Sequence, residues 1–190
     1  MHENQRARPE GNEKIAARSR GKSMSYRSVA LCIGLILAVS GCARMSIESY
    51  KPKNQDEAFI VSMLTRIPDG IKARSVDVIM QPYADDVYIG NFQKYIGVAG
   101  PTAPLSISKR DLREAYTELL RASKDISMEV KDFRLVSVSG NSAVAEARTE
   151  LLMKVEATRY EPREQTYRND VTWRMRRTPA GWKIVEEIWQ

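Results

Sequence analysis

The side chains able to do thiol or imidazole chemistry are few and lie near the amino terminus. Two cysteines, Cys32 and Cys42, and one histidine, His2, are the whole complement. If residues 1–41 are removed, what remains holds no histidine and a single thiol, that of Cys42. A His or Cys metal site, a Ser–His–Asp triad and a disulfide within the domain are then excluded. Chemistry downstream of Cys42 falls to carboxylates, tyrosines, lysines and arginines. No metal and no cofactor is expected.

The surroundings of Cys42 give it a specific role. Residues 28–41 form a 14-residue stretch without a charge, preceded by Arg18, Arg20, Lys22 and Arg27. A spanning helix needs about 20 apolar residues, so this run is short for a permanent anchor and suits the apolar region of an export signal. It ends in Val39-Ser40-Gly41-Cys42, which resembles the lipobox of bacterial lipoproteins. That resemblance implies acylation of the Cys42 thiol, cleavage before it, and acylation of the new amino terminus. Ala43 at the next position implies delivery to the outer membrane in a two-membrane cell. Two or three acyl chains hold a protein stably, so the membrane is an expected partner without any spanning helix. Met24 opens a more ordinary leader (Met-Ser-Tyr-Arg-Ser-Val) and is an alternative start to Met1.

The location of charge removes one class of partner. The chain carries a formal +6, but residues 1–41 hold seven basic and three acidic side chains, leaving only +2 for residues 42–190. Phosphate backbones call for a concentrated basic patch, so a nucleic-acid partner is not expected.

The elements downstream follow from periodicity. Residues 43–53 contain Pro52 and no sustained period, which predicts a tether behind the lipidated cysteine. Asn54 stands three residues before Glu57 like a capping box. Phe59, Ile60, Met63, Leu64 and Ile67 follow at helical spacing up to Pro68-Asp69-Gly70. A second helix is predicted over about 71–81, closed by Pro82. Tyr83 to Gly90 reads as a turn entering a strand, and 92–107 as a long loop. Ser108 with Asp111 caps a third helix to about Ser123. From Ile126 the period changes to two, giving strands 126–138, 142–158, 164–177 and 182–189. Ala145, Ala147, Thr149, Leu151 and Met153 share one face; so do Tyr167, Asn169, Val171, Trp173 and Met175. Antiparallel strands with one wet face must bury the other against helices, an α+β layer.

This order of elements, with the Tyr83-Ala84-Asp85-Asp86-Val87 corner and the terminal Gly181-Trp182-Lys183-Ile184-Val185, resembles the nuclear transport factor 2-like superfamily. SnoaL-like cyclases and ketosteroid isomerases are among its members. The likeness covers residues 54–190. It implies a cone-shaped, curved antiparallel sheet packed on three helices, whose mouth can hold a small apolar ligand and whose sheet face can support a homodimer. The implied cavity residues are Tyr83, Asp86 and Tyr88 at the corner, with Thr149, Tyr167 and Asn169 on the inner strands. Each has a plainer role open to it: Asp85 or Asp86 can fix the turn, Tyr167 and Trp173 can be core aromatics, and Asn169 can be satisfied internally.

Two functions fit. One is a lipid-anchored envelope protein whose domain binds a small ligand or a protein without catalysis. The other is a small isomerase-, dehydratase- or cyclase-type enzyme. There Asp86 would be the base and Tyr83 or Tyr88 the oxyanion donor, in the manner of ketosteroid isomerase. Without histidine, such an enzyme needs strongly shifted carboxyl or phenol groups. The inner strands present Thr149 and Asn169 where a second acid would be needed. Binding is therefore the favoured reading.

Overall fold

The computed structural model describes residues 45–94, 104–155 and 163–190. The first long helix, α1 (Gln55–Lys72), starts where the sequence places it: the Asn54 side chain accepts from the Glu57 amide at 2.9 Å. The other half of a capping box is missing. The Glu57 carboxylate accepts instead from the Lys53 amide at 2.8 Å and the Tyr50 hydroxyl at 3.0 Å. These bonds pin the incoming chain to the helix.

The expected tether is in part built into the domain. Ile47, in a single 3-10 turn (Ile47–Ser49), is fully buried. The Phe133 amide donates to the Met45 carbonyl at 2.9 Å, and the Tyr50 ring meets Phe133 edge-on at 5.2 Å. Residues Arg44–Gln190 form one compact unit, and its core cluster runs from Ile47 to Trp189. The unit therefore closes its own core.

Pro68 does not end α1, contrary to the sequence reading; the helix runs on to Lys72 with Pro68 buried inside it. A proline removes one amide and crowds the preceding turn, but burial of Ile67 and Ile71 on the same face carries the helix past it. Arg74 then turns the chain at φ 54°. The second helix, α2 (Val76–Met80), is shorter than the expected 71–81 and crosses back over Gly70.

The sheet has six strands: β1 (Tyr83–Gly90), β2 (Ser106–Ile107), β3 (Ser123–Ser139), β4 (Ser142–Val155), β5 (Arg163–Thr178) and β6 (Gly181–Trp189). Their order is β2-β1-β6-β5-β4-β3. The expected all-antiparallel sheet is corrected in one place: β1 lies parallel to β6. The 92–107 segment, read as loop, contributes the short edge strand β2 and a 3-10 turn (Phe92–Lys94). Helix α3 (Lys109–Ala122) carries a complete Ser108–Asp111 capping box. The Glu161-Pro162 turn and most of that loop lie outside the described residues.

Long strands curve where an extra residue is inserted. Asp132 takes φ 52° within β3, where the register with β4 shifts between Lys131 and Arg134. The inner face then wraps around α1 and α3. Ala145, Ala147, Thr149, Leu151, Met153, Val171, Trp173 and Met175 are buried on it, as their alternation predicts.

Candidate functional site

The interior of the curved sheet holds a carboxylate that the alternation of β6 conceals. Trp182 and Ile184 point inward, so strict period two would send Glu186 in and Glu187 out. Across β5 and β6, Met175 pairs with Ile184 but Arg174 pairs with Glu186, which leaves Val185 as an extra residue. A one-residue slip reverses the faces of everything beyond it. Glu187 is consequently 0% exposed and Trp189 2% exposed, while Glu186 pairs outward with Arg174 at 2.8 Å.

Three aromatic donors close on Glu187. Its Oε2 accepts from the Tyr83 hydroxyl and the Trp173 indole, both at 2.8 Å, and its Oε1 from the Trp189 indole at 3.0 Å. Burial pushes its carboxyl up to about 7, against the opposing pull of those three donors. The aromatic parity of β6, with Trp182 and Trp189 an odd number of residues apart, is the sequence signal for the bulge that brings Glu187 inside.

The structure scatters the residues proposed for a cavity. Tyr83 is buried against Glu187. Asp86 lies outside, paired with Arg176 at 3.0 Å, its side chain 67% exposed; the Arg176 guanidinium holds its carboxyl below the usual carboxylate range. Tyr88 is half-exposed on the same outer side of β1. Thr149 is buried and donates to the Asn169 carbonyl at 3.2 Å. Tyr167 is partly buried and donates to the Gln165 side chain. The Asn169 amide faces two carbonyl oxygens, of Lys94 at 3.1 Å and Arg168 at 3.0 Å, so its nitrogen end belongs there. Asp85 is held below the usual range by Lys109, which also donates to the Tyr83 carbonyl at 2.9 Å. Tyr83, Asp86, Lys109 and Arg176 do border one shallow cleft of about 410 Å³. Its acids are ion-paired, and Glu187 does not line it. Among the described residues no group of His, Cys, Asp and Glu is placed to hold a metal ion. Cys42 lies outside the described residues.

The larger opening is a groove of about 600 Å³ between α1 and the β5–β6 turn. Its apolar walls include Phe59, Met63, Pro82, Pro179 and Trp182. Phe59 is 56% exposed, although Ile60, Met63 and Leu64 on the same helix are buried. Arg66, Arg177 and Lys183 supply positive charge and Asp56 the one acid. Arg177 pairs with Asp56 and stacks over Trp182 at 5.1 Å.

The outer sheet face is covered differently, by cross-strand ion pairs. Glu150 takes Arg168 at 2.9 Å and Lys131 at 2.8 Å, which lowers its carboxyl to about 2. Arg148 bridges Asp170 at 2.9 Å and Asp132 at 3.3 Å.

Solved structures share this architecture. A ketosteroid isomerase-like protein from Erwinia carotovora atroseptica matches 72% of this chain and 95% of its own, at 19% identity and TM-score 0.54. A nuclear transport factor 2-like protein with a cystatin-like fold from Novosphingobium aromaticivorans matches 88% of this chain and 90% of its own, at 14% identity and TM-score 0.52. A nuclear transport factor 2-like protein of unknown function from Pseudomonas putida matches 70% and 84%, at 16% identity and TM-score 0.51. The fold is thus nuclear transport factor 2-like, an α+β cone of three helices and a curved, open, mixed sheet. Identities this low establish the fold alone. No protein-family model and no curated protein sequence matches the chain.

Proposed function

We propose that the chain is a lipoprotein of the cell envelope, tethered through Cys42 on the periplasmic side of an outer membrane, whose domain binds a small ligand without catalysis. The leader and the Val39-Ser40-Gly41-Cys42 sequence support the tether. The observation that carries the binding function is the groove beside α1, where a half-exposed phenylalanine and a tryptophan wall share one opening with three cations. Binding pockets combine such apolar walls with a few polar groups. The decisive experiment is native mass spectrometry of the protein purified from its own envelope. A retained small molecule, lost from a Phe59→Ala variant, is the expected result. A bare mass in both, with no small molecule shifting the melting temperature, would defeat the reading.

The enzyme alternative draws on one specific observation, a carboxyl near neutral pKa beside a tyrosine hydroxyl. It would have to use Glu187 in place of Asp86. Yet Glu187 is fully buried and both its oxygens are engaged by donors. A general base must reach the proton that it removes. Binding remains the better account.

A further inference from the structure

The groove holds an imbalance of charge. Three basic side chains line it against the single acid Asp56, and Asp56 is taken: it accepts from Arg177 and, at 3.4 Å, from the Trp182 indole. Arg66 and Lys183 have no carboxylate within ion-pair distance among the described residues. Both turn to one neutral residue, Gln81. Arg66 donates to its side-chain oxygen and Lys183 to its main-chain carbonyl. Two cations converging on one residue repel each other, and a neutral amide offsets little of that.

The repulsion registers on Lys183. Partial burial, then the charges of Lys109 and Arg66, hold its ammonium below the ordinary lysine range, with Asp85 working in the opposite direction. Lys109 cannot supply the missing anion, and its own charge is met by Asp85 at 2.8 Å. The position next to Arg66 and Lys183 therefore favours an incoming negative group. A guanidinium presents a fork matched to two oxygens of a carboxylate or phosphate, and an ammonium adds a point charge. The same groove is walled by the exposed Phe59 ring and by Trp182, which is 6% exposed, apolar partners for an alkyl or aromatic body.

We propose that this groove binds an amphipathic anion, its carboxylate or phosphate head held by Arg66 and Lys183 and its apolar body laid against Phe59 and Trp182. The assignment rests on the binding function above and adds the chemical class of the ligand. It explains why a helix exposes a phenylalanine at the same opening where two cations lack carboxylate partners among the described residues. Neither feature alone requires the other.

The test is calorimetric titration of the 44–190 unit, whose core is self-contained. The probes are decyl phosphate, decanoate, decanol and inorganic phosphate, the amphiphiles kept below micelle formation. Decyl phosphate and decanoate should bind at least about tenfold more tightly than decanol, with inorganic phosphate weaker than either. In the Arg66→Gln/Lys183→Gln double variant the preference for the anion should vanish while decanol binding is unchanged. Phe59→Ala should weaken every amphiphile. Both altered proteins change exposed or half-buried side chains, and unaltered melting temperatures would verify their folding. Equal binding of decanol and decyl phosphate, or a double variant that keeps the preference, overturns the anion assignment and leaves a binding groove. Failure of every probe overturns the anion assignment, and the binding function then falls only with the bare native mass described above. Binding to phosphatidylglycerol vesicles without binding to monomeric decyl phosphate also overturns it, since the cations would then be reading a membrane surface.

Discussion

Trp173 and Glu187 face each other across β5 and β6, and the indole of one donates to the carboxylate of the other at 2.8 Å. Tyr83, from the parallel neighbour β1, donates to the same oxygen at the same distance. The contact thus ties together the three strands that meet at the parallel join of the sheet. Burying a charge is costly unless it is well bonded, and removing its partners is costlier still.

The first prediction concerns pH. The Glu187 carboxyl rises from an ordinary 4.5 to about 7 on folding. The folded protein therefore binds more protons than the unfolded chain between those values, and stability falls as pH climbs from 4.5 to 7. At 1.36 kcal/mol per pKa unit, the loss is about 3 kcal/mol. Glu150 acts in another window: its lowered carboxyl contributes above the unfolded value and is lost as pH falls from 4.5 toward about 2. Urea unfolding between pH 5 and 8 should show the decline in the parent and a flat profile in Glu187→Gln. An equal decline in the variant would place its origin elsewhere.

Gly70 should be intolerant of a methyl group. A Cβ there would lie 2.6 Å from Ile79 Cγ1 and 2.7 Å from the Ile79 amide nitrogen, and that second contact is backbone. Ordinarily Gly→Ala in a helix stabilises by up to about 1 kcal/mol. Here Gly70→Ala should destabilise by about 1–3 kcal/mol, as overpacking does. A raised melting temperature would mean that α2 can move away from α1 at little cost.

Periodicity showed the fold well and the interior chemistry poorly, for one physical reason. Alternation locates a buried face as long as nothing interrupts the count, and across β4 and most of β5 nothing does; Ala145 and Trp173 fall inside as expected. Val185 breaks the count in β6, so the acid that ends up inside is not the one that alternation selects. Pro68 was misleading in a similar way, because a local helix breaker was overruled by burial around it. The parallel pairing of β1 with β6 joins strands nearly a hundred residues apart, which no local pattern encodes. The groove was invisible because Arg66, Lys183 and Phe59 become neighbours only when the β5–β6 turn settles beside α1.

Asp86 separates the groove from the shallow cleft as the ligand's place, because it borders the second and not the first. It is exposed, paired with Arg176, and its carboxyl sits below the usual range, the wrong direction for a base that must take a proton near neutral pH. Asp86→Asn should leave the melting temperature and the affinity for decyl phosphate unchanged. Loss of binding in a folded Asp86→Asn protein would move the ligand from the groove to the shallow cleft that Asp86 borders.

The tether can be tested independently of any ligand. No helix among the described residues is long and apolar enough to cross a membrane, and the attachment proposed above is of another kind. The candidate is Cys42 at the end of a basic-then-apolar leader. A single acyl chain holds a protein only marginally, and two or more hold it stably. The parent should incorporate labelled palmitate, stay with the membrane fraction through a high-salt wash, and migrate at the size of the cleaved form. Cys42→Ala should take up no label and accumulate as the longer precursor, because the lipobox resemblance implies acylation of the thiol and then cleavage before it. High salt disrupts attachment by surface charge but not by acyl chains, so the wash separates the tether from any electrostatic contact made by the domain. Continued palmitate labelling of the Cys42→Ala protein would show that Cys42 is not the anchor, and the periplasmic placement built on it would fall with it.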